Sequence, residues 1–420
     1  MFQLFCFLVL YLPFQLALNP ASGVDLASIR VAILAVFLLW LAEGLKKRKI
    51  TIYGGIIPFF LLSFLFLGVI SVFWAQNLEW SGRKLMFLFS IFPVYFVAGA
   101  VIKNKEKALK VIKMLIWGGT TAAILGIFQF AAQFVWGLDG IYNFWAEYVI
   151  WPFLGESFSR AVLENPSWLV NISGRTYLRA TAIFPDPHMF SFFLGLLIPL
   201  TIGAYLEKRN KTYLFSFFVL LLADILTFSR GGYLGLTAGI LFLIFIFWKK
   251  IARKFRLFLL ALIFLAVLAL LIPSPVSSRF QSIFNFQEGS NKGRMETWKQ
   301  AAEVIWNNPI MGVGIGNYPL EIKATADYRE PIYAHNTYLD IAAETGLVSL
   351  LFWLLVLGTA LATFLKKARR SPLFLFCALS IIIFSAHSLV ETAIYSPVVL
   401  TLFLIILSFS GIKETDEKNI

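Results

Sequence analysis

Apolar residues run along this chain in long blocks, separated by short polar runs, with no sustained two-residue alternation. Crossing a hydrocarbon core takes a block of roughly 17 to 25 apolar residues. By that measure the sequence predicts spans at 3–19, 27–45, 55–74, 85–102, 111–136, 187–206, 212–229, 231–249, 256–273, 337–365, 372–390 and 397–411. The expected fold is an all-α integral membrane protein of about 12 transmembrane helices, a single polytopic membrane domain over 1–420. The first block, from Phe2 to Leu18, has no basic residue ahead of it and only Ala21-Ser22-Gly23 as a cleavage site. It therefore reads as a span, not as a removed signal.

Two intervals interrupt the pattern, a first outer loop at 137–186 and a larger loop at 274–336. Both mix tryptophans (Trp145, Trp151, Trp168, Trp298, Trp306) with polar residues, Gly and Pro, which is the composition expected of interfacial helices. Within Lys292 to Asn307, Met295, Trp298, Ala302 and Trp306 recur at helical spacing, which predicts a surface helix over the membrane.

Composition excludes a soluble reading. With 59% hydrophobic and 14% charged residues among 420, the chain has more apolar surface than one soluble core can bury, so its solvent is a lipid bilayer. The net charge of +13 does not point to nucleic acid, because the basic residues sit in clusters between spans: Lys46 to Lys49, Lys103 to Lys110, Lys208 to Lys211, Lys249 to Arg256 and Lys366 to Arg370. These fall in alternate loops, so one side is cytoplasmic, both termini lie there, and the two long loops face outward. Cys6 and Cys377 lie inside apolar blocks and imply neither a disulfide framework nor a metal site.

Chemistry is expected on the outer side. Arg179, Arg230 and Arg294 are each placed near hydrocarbon, where a guanidinium is costly and seldom lacks a purpose. Arg230 stands in Phe228-Ser-Arg-Gly-Gly232, whose small residues allow close approach to an anion such as phosphate. His335, just before a span, has the proton affinity of a general base. The glycines at 312, 314 and 316 resemble a phosphate-cradling loop, but no strand–turn–helix context supports a nucleotide site there. His188, the i,i+4 pair His387 and Glu391, and the intramembrane Asp224 are weaker candidates. Neither Asp-x-Asp nor His-x-x-x-His occurs, so neither a metal nor another cofactor is expected.

Four blocks, taken together, resemble the O-antigen ligase and polymerase superfamily of bacterial membrane enzymes, over about 179–350. They are Arg179 with Phe184 and Pro187; Ser229-Arg230-Gly231; Gly293-Arg294 with Trp298, then Pro309, Gly312, Gly314, Gly316 and Tyr318; and His335-Asn336 with Tyr338-Leu339, Glu344 and Gly346. The family often has Pro-Asn where this chain has Pro187-His188. The resemblance implies a multi-pass enzyme of the bacterial cytoplasmic (inner) membrane whose active site faces the periplasm. Such an enzyme transfers a glycan from an undecaprenyl-diphosphate carrier to a hydroxyl of the lipid A core oligosaccharide, with inversion and without a metal. It also implies that His335 is catalytic and that Arg179 and Arg230 bind the donor diphosphate, with Arg294, Asn336, Tyr338, Glu344 and His188 as possible supporting residues. A polymerase that takes a second carrier-linked glycan as acceptor shares these motifs. A polysaccharide transporter is the remote alternative, since it calls for a midplane site and internal pseudo-symmetry.

Overall fold

The computed structural model describes residues 1–21, 24–50, 55–164, 167–172, 174–247, 277–278, 289–328, 330 and 332–412. The expected span 256–273 and most of 274–288 lie outside these residues. The first half runs α1 (Phe2–Tyr11), β1 (Ala17–Ala21), β2 (Val24–Ala27), α2 (Ser28–Lys46), α3 (Ile56–Ser71), α4 (Leu78–Ile91), α5 (Pro93–Val101) and α6 (Lys105–Trp136). The first loop follows as α7 (Leu138–Phe144), a π-turn (Trp145–Val149), α8 (Trp151–Leu154), α9 (Glu156–Glu164), β3 (Leu169–Ile172) and β4 (Arg175–Leu178). After it come α10 (Pro187–Lys208), α11 (Thr212–Leu226), α12 (Arg230–Phe247), α13 (Gly289–Asn307), α14 (Tyr318–Ile322), α15 (Thr337–Lys367), α16 (Pro372–His387) and α17 (Pro397–Ser408).

Among the described residues, six helices are long and apolar enough to cross a membrane: Ser28–Lys46, Ile56–Trp74, Leu78–Val101, Lys105–Trp136, Pro187–Lys208 and Thr337–Lys367. Shorter apolar helices occupy Phe2–Phe14, Thr212–Leu226, Arg230–Ile246, Pro372–His387 and Pro397–Gly411. The protein is thus a helical, multi-pass membrane protein. Its outer surface agrees, since Leu38, Phe66, Phe218 and Phe245 are all at least 60% exposed, an arrangement water would penalise and lipid does not.

The expected first span 3–19 is shorter than predicted. Its helix ends at Tyr11 and a 3-10 turn at Leu12–Phe14, and the chain then enters a hairpin that pairs Ala17 with Ala27 and Leu18 with Leu26. Pro13 and Pro20 supply no N–H, so neither sustains a helix through this stretch.

The centre of the protein is α10, almost entirely buried and packed on α6, α11 and α16, while α15 packs on α3 and α12 on α16. Its start is fixed locally: Asp186 Oδ1 accepts the amides of His188 (2.8 Å) and Met189 (2.9 Å), and Pro187 fits the first turn, where no donor is needed. Aromatic layers fill the spaces between helices, among them Phe384 on Phe403 (4.3 Å) and Phe64 on Trp353 (5.3 Å).

Two of the tryptophans expected at the interface are instead internal. Trp145 and Trp168 are 2% and 0% exposed, and their indole N–H groups donate to Ala182 O (2.7 Å) and Pro185 O (2.9 Å), tying the first loop to the segment that enters α10. Trp151 and Trp306 remain exposed. In α13, Met295, Ala302 and Trp306 lie on the outside, as a helix facing lipid requires, while Ala301 and Val304 face the protein.

Candidate active site

Four separated stretches of chain meet at one carboxylate. Glu391, in the turn between α16 and α17, is 7% exposed. His335 Nδ1 lies 2.8 Å from its Oε1; Arg294 Nη2 lies 3.4 Å and His188 Nδ1 3.9 Å from its Oε2. A carboxylate accepts and does not donate, so the His335 proton facing it sits on Nδ1 and leaves Nε2 as the basic atom of the ring. Burial on its own lifts the pKa of Glu391, but His188, His335 and Arg294 outweigh it and hold the carboxyl well below its ordinary range. The bond to Glu391 in turn raises His335 above 6.5, against the opposing effect of burial.

His335 is held in the left-handed region at φ 49°, which is uncommon for a residue other than glycine. Its neighbours impose this. Ala334 N donates to Asp340 Oδ1 (2.8 Å), and Asn336 caps α15 by accepting from Tyr338 N (3.0 Å) and Leu339 N (3.2 Å). Asn336 Nδ2 reaches Leu389 O (2.9 Å), Thr337 Oγ1 donates to Glu391 O (3.0 Å), and Thr392 Oγ1 bonds Asp340 Oδ2. The His335 loop and the Glu391 turn are thereby fastened to each other on both sides of the histidine–carboxylate pair.

From Glu391 the polar chain continues through His188, whose Nδ1 is 3.0 Å from Ser229 Oγ, to the turn between α11 and α12. Arg230 follows Ser229 as the first residue of α12 and is 4% exposed. Arg179, 5% exposed, donates from Nε to Thr227 O in the same turn (2.7 Å) and from Nη1 to Ser167 O (3.4 Å). The β3–β4 hairpin ends one residue before Arg179, and Gln133 (to Leu178) and Gln129 (to Thr181) bind the backbone on either side of it. Burial lifts Asp186, at the foot of this cluster, to about 6; its two amide donors oppose the rise, Glu391 adds to it and Arg179 relieves it.

The remaining expected residues take other places. Tyr338 donates to Ser385 O (2.9 Å), and Glu344 pairs with Lys84 Nζ (2.6 Å) and accepts from Tyr395 Oη (2.9 Å), so neither joins the Glu391 cluster. Gly231 and Gly232 serve helix packing: a Cβ on Gly231 would stand 2.5 Å from His387 Nε2, and Gly232 abuts Ser191. The glycine-rich loop cradles no phosphate. Its amides bond within the protein, Gly312 to Asn308 O, Val313 to Ala343 O, Gly314 to Glu344 O and Ile315 to Ser71 Oγ.

The partnership expected from spacing, His387 with Glu391, does not form. Helix α16 ends at His387, so Glu391 is not one helical turn above it, and the His387 ring stacks flat on Phe192 at 3.6 Å. Sequence reasoning placed Glu391 among weak candidates and gave no sign of its bond to a residue 56 positions earlier. Asp224, the isolated intramembrane acid, accepts from Ser191 Oγ (2.5 Å).

Fold and cluster together define a polytopic membrane protein that holds a histidine–carboxylate pair beside buried arginines. Residues 215–354 match the family model described as O-Antigen ligase. The chain is 27% identical over 192 residues to an uncharacterized protein of Haemophilus influenzae (40% of this chain, 48% of the relative). It is 26% identical over 250 residues to the ComP-specific O-oligosaccharyltransferase of Acinetobacter baylyi (55% and 43%). Over 317 residues it is 25% identical to the teichuronic acid biosynthesis protein TuaE of Bacillus subtilis (72% and 59%). The chain thus spans about half the length of the curated relatives it matches.

Proposed function

We propose that the chain is a membrane glycosyltransferase of the glycan-ligase type. In this reading it works at the periplasmic face of a bacterial cytoplasmic membrane and moves a glycan from an undecaprenyl-diphosphate carrier onto a hydroxyl of the lipid A core oligosaccharide. The observation that carries it is the meeting of His335, Arg294 and His188 on Glu391, linked through Ser229 to the turn that bears Arg230 and holds Arg179.

Glu391 fixes the tautomer of His335 and stabilises its protonated form, leaving Nε2 to take the acceptor's hydroxyl proton. The acceptor oxygen bonds to the anomeric carbon as the bond to the carrier phosphate breaks, inverting that centre. Arg179 and Arg230 stabilise the departing diphosphate by charge-assisted hydrogen bonds in a dry, preorganised site. No step calls for a metal ion.

The test uses purified protein in nanodiscs with a polyprenyl-diphosphate glycan donor, EDTA, and either lipid A core or a second donor molecule as acceptor. The expected product is glycosylated lipid A core, with transfer falling about 10²- to 10⁴-fold in His335→Ala. A second reading, polymerisation of carrier-linked units, draws on the teichuronic acid relative, which covers 72% of the chain. Lengthened carrier-linked chains would select it. Absence of product with either acceptor and a validated donor overturns both.

A further inference from the structure

A second polar concavity, outside the Glu391 cluster, lies between the start of α4 and the turn at Thr325–Tyr328. It is an open concavity of about 470 Å³. Its wall is Trp80, 9% exposed, which meets Tyr328 in an edge contact at 5.4 Å. The Arg83 guanidinium lies 4.8 Å over the Tyr328 ring and pairs with Glu79 at 2.5 Å, and Asp327 completes the polar rim. Tyr328 remains 38% exposed, so a held aromatic surface is open to a ligand.

Rigid aromatic groups beside carboxylates and a guanidinium are what a pyranose requires. Its C–H groups pack on an aromatic ring, and its vicinal hydroxyls match the paired donors and acceptors of Arg, Asp and Glu. The site is anchored, since Asn317 Oδ1 accepts from Asn77 N (2.6 Å) and Gln76 Nε2 donates to Glu321 Oε1 (2.5 Å), joining α4 to α14.

Two features say which sugar. The first is a chain of side-chain contacts toward the histidine. Lys84, next to Arg83, sits 3.5 Å over Tyr395 and pairs with Glu344; Tyr395 stacks with Tyr333, two residues before His335. These contacts connect the element beside the cleft to the segment before His335 without involving the Thr227–Ser229 turn that holds the arginines. The second is the lip. Phe73, Trp74 and Leu78 are 84%, 51% and 65% exposed beside Glu79, an apolar edge against a charged one, as at a membrane–water boundary.

We propose that the cleft of Trp80, Arg83, Glu79, Asp327 and Tyr328 is a saccharide subsite for the acceptor, and that the acceptor is lipid-anchored, with its sugars rising from the interface beside Phe73 and Trp74. The assignment to the acceptor rests on the proposed role of His335.

The experiment is saturation-transfer NMR on the full chain in nanodiscs, with soluble lipid A core oligosaccharide as the probe, which requires no turnover. Wild-type protein shows transfer to sugar protons; Tyr328→Ala loses it and Tyr328→Phe keeps it, and thermal melting of the variants verifies folding. In the transfer assay Tyr328→Ala and Glu79→Gln raise the acceptor KM, about tenfold for Tyr328→Ala, and leave the donor KM unmoved. Equal transfer signals in wild type and Tyr328→Ala, or a donor KM that shifts in place of the acceptor KM, overturn the assignment. A wild-type chain that binds the oligosaccharide and transfers nothing condemns the proposed reaction while the saccharide site stands.

Discussion

Glu391 carries a charge out of water, and Arg294 and His335 keep it there. Their attraction offsets the cost of burial, so removing the carboxylate takes from His335 the partner of its Nδ1 and from Arg294 its ion pair. Because Glu391 raises the pKa of His335, the base form of that histidine appears only as pH climbs through the raised value. Transfer should therefore increase with pH on its acid limb. In Glu391→Gln the midpoint of that limb should move to lower pH, and the maximal rate should fall through loss of orientation; a pH–rate profile of both proteins measures this. An unmoved midpoint would mean that the pair does not act as a unit. The residue types of the site were legible in the sequence because Arg179, Arg230, Arg294 and His335 occur at positions where charge is expensive. Their partner was not, because Glu391 meets His335 only through tertiary packing and the i,i+4 rule holds only where a helix continues. Here the helix stops at His387.

At the scale of elements, block length located the long helices well, since the apolar stretch and the span are fixed by the same hydrocarbon thickness. It failed where backbone chemistry overrode hydropathy: prolines turn the first block into a short helix and a hairpin, and Gly346, at φ 84°, breaks α15 internally. The glycine-rich loop was legible as a special backbone but not as a brace. It docks on the broken part of α15 through Val313 and Gly314 and on α3 and α4 through Ser71 and Ser81. Gly314, at φ 94°, faces Ala75, and a Cβ would stand 2.6 Å from its Cα. Gly314→Ala should therefore lose about 1–3 kcal/mol of stability through backbone strain and further through the contact, read as a lowered melting temperature in detergent. A melting curve equal to wild type would show that the loop is not the brace described.

Over the whole molecule, the basic clusters and the two long loops predict an orientation that a membrane can test. Cys377 is buried and Cys6 partly so, which leaves little background for thiol labelling. Glu147→Cys, exposed in the first loop, should react with an impermeant maleimide added outside intact cells, whereas Arg209→Cys, exposed at the end of α10, should react only after permeabilisation. The reverse pattern would invert the topology.

The shared carboxylate also bears on how such proteins can change by recombination. The matched segment 215–354 contains Arg230, Arg294 and His335, but Arg179 and His188 lie before it and Glu391 after it. An exchange at the segment's edges would pair the histidine of one protein with the acid of another. The proposed site therefore draws on residues across at least 179–391, a longer stretch than the segment that carries the family signature.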